Sequence, residues 1–189
     1  MRVRTEERIV HAFLKLYSKK EYSSITVKEI CQKANVSRDT FYIYYEDINS
    51  MLEEIEDKIL YDVSSITKSW QYIDIDKVDF LEAIPIYVDI YRYVLDNRIF
   101  FKALFGPYGN NQFIMKYHDM VKVSHYNKIK TDLPHVKHPD MLASFMAGSI
   151  IYASHNFINT YEDVTPEDIA LMATKCVKAI LQAERNSRL

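Results

Sequence analysis

Apolar residues recur at helical spacing from the start of the chain. Ile9, Ala12, Phe13 and Leu16 stand at i, i+3, i+4 and i+7, which predicts an amphipathic helix over residues 6–20. Glu6 and Glu7 fall in its first turn and Lys19 and Lys20 in its last, as the helix dipole favours. A second helix opens at Thr26, where Glu29 completes a capping box, and it turns Val27, Ile30, Cys31 and Ala34 inward. Asn35 stands where the chain must turn sharply, because Asn tolerates the left-handed conformation. Ser37 then caps a third helix whose Phe41 and Tyr45 share the inner side. Asp47 caps a fourth, predicted from about Ile48 to Trp70, with Met51, Leu52, Ile55, Ile59, Leu60 and Val63 on its apolar stripe.

Beyond a loop around Tyr72 to Asp76, a helical pattern runs over residues 77–96 with a kink expected at Pro85. Asn97 opens a short helix to Phe105, and Gly106-Pro107-Tyr108-Gly109 is the clearest break in the chain. Further helices are expected over 111–130, over 140–161 after a Pro- and His-containing loop at 132–139, and over 166–184, where Thr165 is the cap and Pro166 the first helical residue. Three glycines and five prolines leave few turns for sheets, and 48% hydrophobic residues supply a core. The expected class is all-α with about nine helices: an N-terminal three-helix bundle over residues 1–47 and a helical domain over 48–189.

Residues 141–161 contain no Asp, Glu, Lys or Arg, yet Ser144, Ser149, Ser154, His155, Asn156, Asn159 and Thr160 argue against a lipid-facing span. The expectation is a helix buried by protein and partly placed at a subunit interface. No leader pattern opens the chain, so a cytoplasmic location without membrane attachment is expected. Charge is uneven: residues 1–47 carry nine basic against seven acidic side chains, and the remainder fifteen against nineteen.

Residues 26–45, two short helices around a tight turn, have the form that places a recognition helix in the DNA major groove N-terminus first. Arg38 then reaches a guanine edge, Thr40, Tyr42 and Tyr44 donate to phosphates, and Ile43 meets a thymine methyl. Thr26 and Lys28 meet the backbone beside the groove. Elsewhere Tyr87, Tyr91, Phe100, Phe101, Phe105, Phe113, Tyr117, Phe145 and Tyr152 make an aromatic-rich bundle, read either as plain core or as a partly hollow pocket for a small apolar or aromatic effector. Cys31 and Cys176 sit at apolar positions and are expected as buried thiols. The pairs His118/His125 and His135/His138 lack acidic or Cys partners at ligand spacing, His155 is expected buried or interfacial, and no metal site is expected. No phosphate loop, nucleophile elbow or paired carboxylates are present, so neither catalysis nor a cofactor is expected.

Tyr17, Tyr22, Thr26, Ile30, Ala34, Val36, Ser37, Thr40, Phe41, Tyr42 and Tyr45 follow the spacing Thr-x-x-x-Ile-x-x-x-Ala-Gly-Val-Ser-x-x-Thr-Phe-Tyr-x-x-Phe, so that residues 6–60 resemble the DNA-binding domain of the TetR/AcrR transcriptional regulators. Tyr44-Tyr45-Glu46-Asp47-Ile48 is similar to the subgroup ending in Tyr-x-Asp-Lys, with Ile48 in place of the phosphate-binding Lys. Glu21 and Asn35 replace two usual glycines, and Asp39 faces the phosphates. The resemblance implies that Ser37, Arg38, Thr40, Tyr42, Ile43 and Tyr44 contact DNA and that the remainder senses a ligand and dimerises. The expected protein is a homodimeric repressor on a palindromic operator, its helices 140–161 and 166–184 packing on their two-fold mates. Ile48 and Asp39 support the alternative of an adaptor that kept this fold and acts on a protein partner without specific DNA binding.

Overall fold

Several helix starts are set by side chains that take up the free N–H groups of a first turn. The computed structural model describes residues 2–73, 80–160 and 163–186, and these hold nine α-helices, three short 3-10 turns and no strand. The helices are α1 (Arg2–Tyr17), α2 (Val27–Ala34), α3 (Arg38–Tyr44), α4 (Ile48–Thr67), α5 (Ile84–Asp96), α6 (Arg98–Leu104), α7 (Asn111–Asp132), α8 (Pro139–Thr160) and α9 (Pro166–Asn186). The all-α class read from the periodicity is the class observed.

Three capping arrangements act as the sequence indicates. Thr26 Oγ1 accepts from Glu29 N while Glu29 Oε2 accepts from Thr26 N, which starts α2. Asp47 Oδ1 accepts from Ser50 N at 2.8 Å at the start of α4. The pair Thr165 and Asp168 makes the reciprocal bonds before α9, each at 3.1 Å.

Several boundaries differ from expectation, and α1 starts at Arg2, so Glu6 and Glu7 lie past its first turn. The first helix ends at Tyr17, so Lys19 and Lys20 lie beyond it, and Lys20 Nζ instead donates to Glu29 at 2.7 Å and to Ser24 O at 3.0 Å. The fourth ends at Thr67 and continues as a 3-10 turn, Lys68–Tyr72, in place of an α-helix to Trp70. Pro85 causes no kink: it is the second residue of α5, where its missing N–H belongs to the unpaired first turn. Residues 74–79, which include much of the expected loop and the first positions of the pattern 77–96, lie outside the described residues, as does Tyr161 at the end of the pattern 140–161.

The chain divides into two compact units. The first joins Met1–Ile59 to Asn97–Ile114, so it extends past residue 47 and takes in α6. Its interior holds Ile9, Phe13, Tyr17, Ile30, Phe41 and Met51 together with Phe101, Leu104 and Phe113, all essentially without solvent exposure. Glu56, buried on α4, accepts from Asn110 Nδ2 at 2.8 Å and ties α4 to the turn before α7. That turn depends on Gly109, because a Cβ there would lie 1.7 Å from Leu104 O. The second unit comprises Leu60–Asp96 and Met115–Leu189, with α5 packed chiefly on α9 and Arg92 paired with Glu167.

Gly109→Ala is expected to cost about 1–3 kcal/mol in urea unfolding, since the backbone must move to admit the methyl. Glu29 is held down to about 2, first by the bond from Lys20 and then by those from Thr26. Its stabilising effect is therefore complete above the ordinary carboxylate range of about 4 and is lost as pH falls through about 2. Lys20→Met is expected to raise the Glu29 midpoint toward that ordinary range in an NMR titration.

Candidate nucleic-acid interface and effector cavity

The turn between α2 and α3 is closed by a left-handed residue and an arginine from α1. Asn35 has φ 53° and ψ 54°, the one positive φ at a non-glycine among the described residues. This conformation leaves the carbonyls at the end of α2 pointing outward, and Arg8 collects them. Its Nε donates to Ala34 O at 3.1 Å, and its Nη2 donates to Ala34 O and, at 2.7 Å, to Asn35 O. The fork geometry of guanidinium suits two adjacent carbonyls in a way a lysine does not. Arg8 was not among the residues singled out in the sequence. It follows Glu6 and Glu7 on an exposed face, and its partners lie 26 and 27 positions away.

With the turn fixed, α3 presents two unlike faces. Phe41 is fully buried and Tyr45 is 5% exposed, with the Tyr45 hydroxyl donating to Glu6 at 3.4 Å. Burial, followed by the nearby Glu6 and Glu54 carboxylates, pushes that phenol well above its ordinary range, so it stays protonated. On the other side Tyr42 is 56% and Ile43 65% exposed, flanked by exposed Arg38 and Asp39. The two exposed side chains stand next to each other on the side of α3 opposite its buried residues, which leaves them free to meet a partner surface.

The eight expected DNA contacts differ in exposure and in how far they are engaged within the chain. Lys28, Arg38, Tyr42 and Ile43 stand on the surface, while Tyr44 is half-buried against Tyr45 at 6.5 Å between ring centroids. Three hydroxyls are engaged in holding helix ends. Thr26 Oγ1 donates to Glu29 Oε2 at 2.9 Å, and Ser37 Oγ accepts from Thr40 N at 3.0 Å while lying 2.7 Å from Thr40 Oγ1. One proton of the Ser37 and Thr40 pair stays available to an outside acceptor, since the mutual bond uses the other. Ile48 is half-buried, and beside it the Asp47 carboxylate caps α4.

In the second unit a nearly filled void of about 20 Å³ is lined by Val63, Thr67, Trp70, Tyr87, Tyr117 and His125 among others. That is room for about one water. His125 is 6% exposed, and its Nδ1 lies 2.9 Å from Val121 O, a pure acceptor, so Nδ1 carries the proton and Nε2 keeps a lone pair. Burial holds this imidazole below its usual range, against the opposing effect of the Val121 bond. Tyr87 is 3% exposed. Neither Tyr87 Oη nor His125 Nε2 has a hydrogen-bond partner among the described residues, a condition costing about 1–3 kcal/mol per group when nothing fills the site. Thr67 and Ser124 line both this void and an open groove of about 440 Å³.

Several expected pocket residues are placed elsewhere. Tyr87 and Tyr117 line the void, and Tyr91 is buried against Phe157 at 5.9 Å between ring centroids. Phe101, Phe105 and Phe113 belong to the first unit, where Phe100 and Phe113 meet edge to face. Phe145 and Tyr152 are 65% and 67% exposed, a correction to their reading as bundle interior. A helix apolar on nearly every side, such as α8, carries no periodic signal for which side faces water. Cys176 on α9 is exposed, a correction to its expected burial, and Cys31 is a buried thiol. No group of three or more His, Cys, Asp or Glu able to hold a metal occurs among the described residues. His118 lies 3.2 Å from Ser144 O, and His135 lies 2.9 Å from Glu184 O. Among the described residues no helix is long and apolar enough to cross a membrane.

Two family models match the chain. A model for bacterial regulatory proteins of the tetR family matches residues 9–55, and a model for a transcriptional regulator C-terminal region matches residues 82–179. The uncharacterized HTH-type transcriptional regulator YxbF of Bacillus subtilis (strain 168) is 42% identical over 50 residues, which are 26% of this chain and 13% of that protein. The chain therefore matches only a small part of that relative's length. The fold is similar to a TetR transcriptional regulator from Streptococcus agalactiae 2603V, with TM-score 0.61, 22% identity and coverage of 93% of this chain and 94% of that one. It is also similar to a TetR-family regulator from Syntrophomonas wolfei str. Goettingen, with TM-score 0.68, 16% identity and coverage of 96% and 97%.

Arg8→Ala is expected to destabilise the first unit by about 1–2 kcal/mol, through loss of charge-assisted bonds to two carbonyls. Arg8→Lys is expected to recover less than half of that. Thermal unfolding of both variants, with amide exchange at Val36 and Ser37, checks the assignment.

Proposed function

This chain belongs to the TetR family of bacterial transcriptional regulators, and from that premise we propose a homodimeric repressor that binds a palindromic operator and responds to a small apolar or aromatic effector. The observation that carries the DNA-reading part is the exposure of Tyr42 and Ile43 opposite buried Phe41 and Tyr45 on a helix anchored at both ends. Arg38, in the first turn, pairs with a guanine edge, Ile43 packs on a thymine methyl, and Tyr42 donates to a phosphate or base. Lys28 and the remaining hydroxyl proton of the Ser37 and Thr40 pair anchor phosphates. With Ile48 where the resemblance places a cation, phosphate anchoring has one charge fewer, so the salt dependence of binding is shallower.

Support for the dimer comes from α8. Met141, Phe145 and Tyr152 are each at least 65% exposed and form one stripe, with Gly148 on the same side. The absent Cβ at Gly148 allows a second helix backbone to approach closely, and Leu171 and Met172 extend the apolar surface onto α9. A second copy of the chain is the occupant that satisfies this self-complementary stripe. Effector response passes along α4, which carries buried Met51 in the first unit and cavity-lining Val63 and Thr67 in the second. A ligand that moves Thr67 shifts the population between spacings of the two recognition helices.

Arg38→Ala and Tyr42→Ala are each expected to weaken specific binding by about 1–3 kcal/mol, roughly 5- to 150-fold, in fluorescence anisotropy at fixed salt. Both side chains are exposed, so unfolding and dimer mass are expected to stay unchanged. Retention of operator affinity in the double variant sinks the reading of α3. Phe145→Glu is expected to give monomers by sedimentation and to lower operator affinity as a consequence.

A further inference from the structure

Tyr87 and His125 each pack against Trp70, at 5.9 Å and 5.4 Å between ring centroids, and all three line the same void. Tyr87 supplies an O–H with no acceptor, and His125 supplies an Nε2 lone pair with no donor, among the described residues. A hydroxyl is the one simple group that carries both missing counterparts, an oxygen to accept from Tyr87 and a proton to donate to His125. A carboxylate has no proton for Nε2, and Lys128, the buried cation nearest in sequence, is already spent on Asp132 at 2.8 Å and Gln71 O at 3.2 Å. An ammonium would donate to Nε2 but would leave a charge unpaired in an apolar enclosure.

We propose that this void is the closed form of a ligand site selective for small apolar molecules bearing a hydroxyl, a phenol or a cyclic alcohol. The inference rests on the effector-responsive reading above and adds the chemical class and the anchoring residues. The closed void has room for about one water, which carries the same donor and acceptor as a hydroxyl. A larger hydroxyl compound offers the same donor and acceptor in place of a water, while its body lies against Ile86, Ile90, Val121 and Ile150. The room it needs lies beyond Thr67 and Ser124, the two side chains shared by the void and the 440 Å³ groove. Thr67 turns its hydroxyl back onto Val63 O at 3.0 Å, which leaves its methyl group as the part that must give way.

Trp70 is the chain's sole tryptophan, so its fluorescence reports directly on this wall. The full-length protein is titrated with two matched pairs, phenol against benzene and cyclohexanol against cyclohexane. In each pair the hydroxyl compound is expected to change Trp70 emission saturably at a concentration at least about tenfold lower. Tyr87→Phe, which removes only the unpartnered hydroxyl and so preserves folding, is expected to narrow that gap to less than about threefold. His125→Phe provides the second test of the same gap. Equal affinity within each pair, or a tenfold gap that survives both substitutions, overturns the hydroxyl assignment. No saturable change with any of the four probes overturns the site, leaving a water only. Operator affinity is followed in parallel: a compound that releases operator without touching Trp70 refutes this site and leaves effector control standing. Saturable hydroxyl binding with unchanged operator affinity upholds the site and removes effector control.

Discussion

The head of this protein depends on the carbonyls of Ala34 and Asn35 being satisfied within a turn too tight to reach them from either flanking helix. Arg8 does this from α1, and the left-handed Asn35 makes it geometrically open to that guanidinium. Once those carbonyls are held, the direction in which α3 leaves the turn is fixed. Ser37 then caps it, Phe41 and Tyr45 lock its inner side, and the outer side can carry Tyr42 and Ile43 in water without unfolding the helix. A seven-residue helix has little stability of its own, so it exists because its ends and one face are held by others.

The same economy governs the second unit. In its described interior a small void sits where tyrosine, histidine and tryptophan meet. Polar groups in such a place are costly unless something satisfies them, which is why their location carries functional meaning while the surrounding aromatic packing does not. Thr67 and Val63 belong to the helix that reaches back into the first unit, so occupancy of the void and the position of α4 share residues.

What could be read from the chain alone follows from the range of each interaction. Thr26 with Glu29, Ser37, Asp47 with Ser50 and Thr165 with Asp168 act across three positions, and residue type alone specifies them. The inward placement of Phe41 and Tyr45 follows from helical spacing in the same way. Arg8 was illegible because its partners are 26 and 27 residues distant. The joining of Asn97–Ile114 to the first unit was illegible for the same reason, although Gly109 marks it. Phe145 and Tyr152 were misplaced because α8 is apolar on nearly every side, and its pattern alone does not say which side faces water. Pro85 read as a kink because its distance from a helix start was hidden by residues 77–83, whose apolar spacing continues that of α5.

The central claim is that two copies of α3, held by the turn and spaced by an α8 interface, read DNA symmetrically. Selection of bound duplexes from a random pool by the full-length protein tests it most directly. The account predicts enrichment of an inverted repeat whose half-site centres lie about one helical turn apart, on the order of 34 Å. Enrichment of no sequence, or of a single half-site without a symmetric mate, would contradict it.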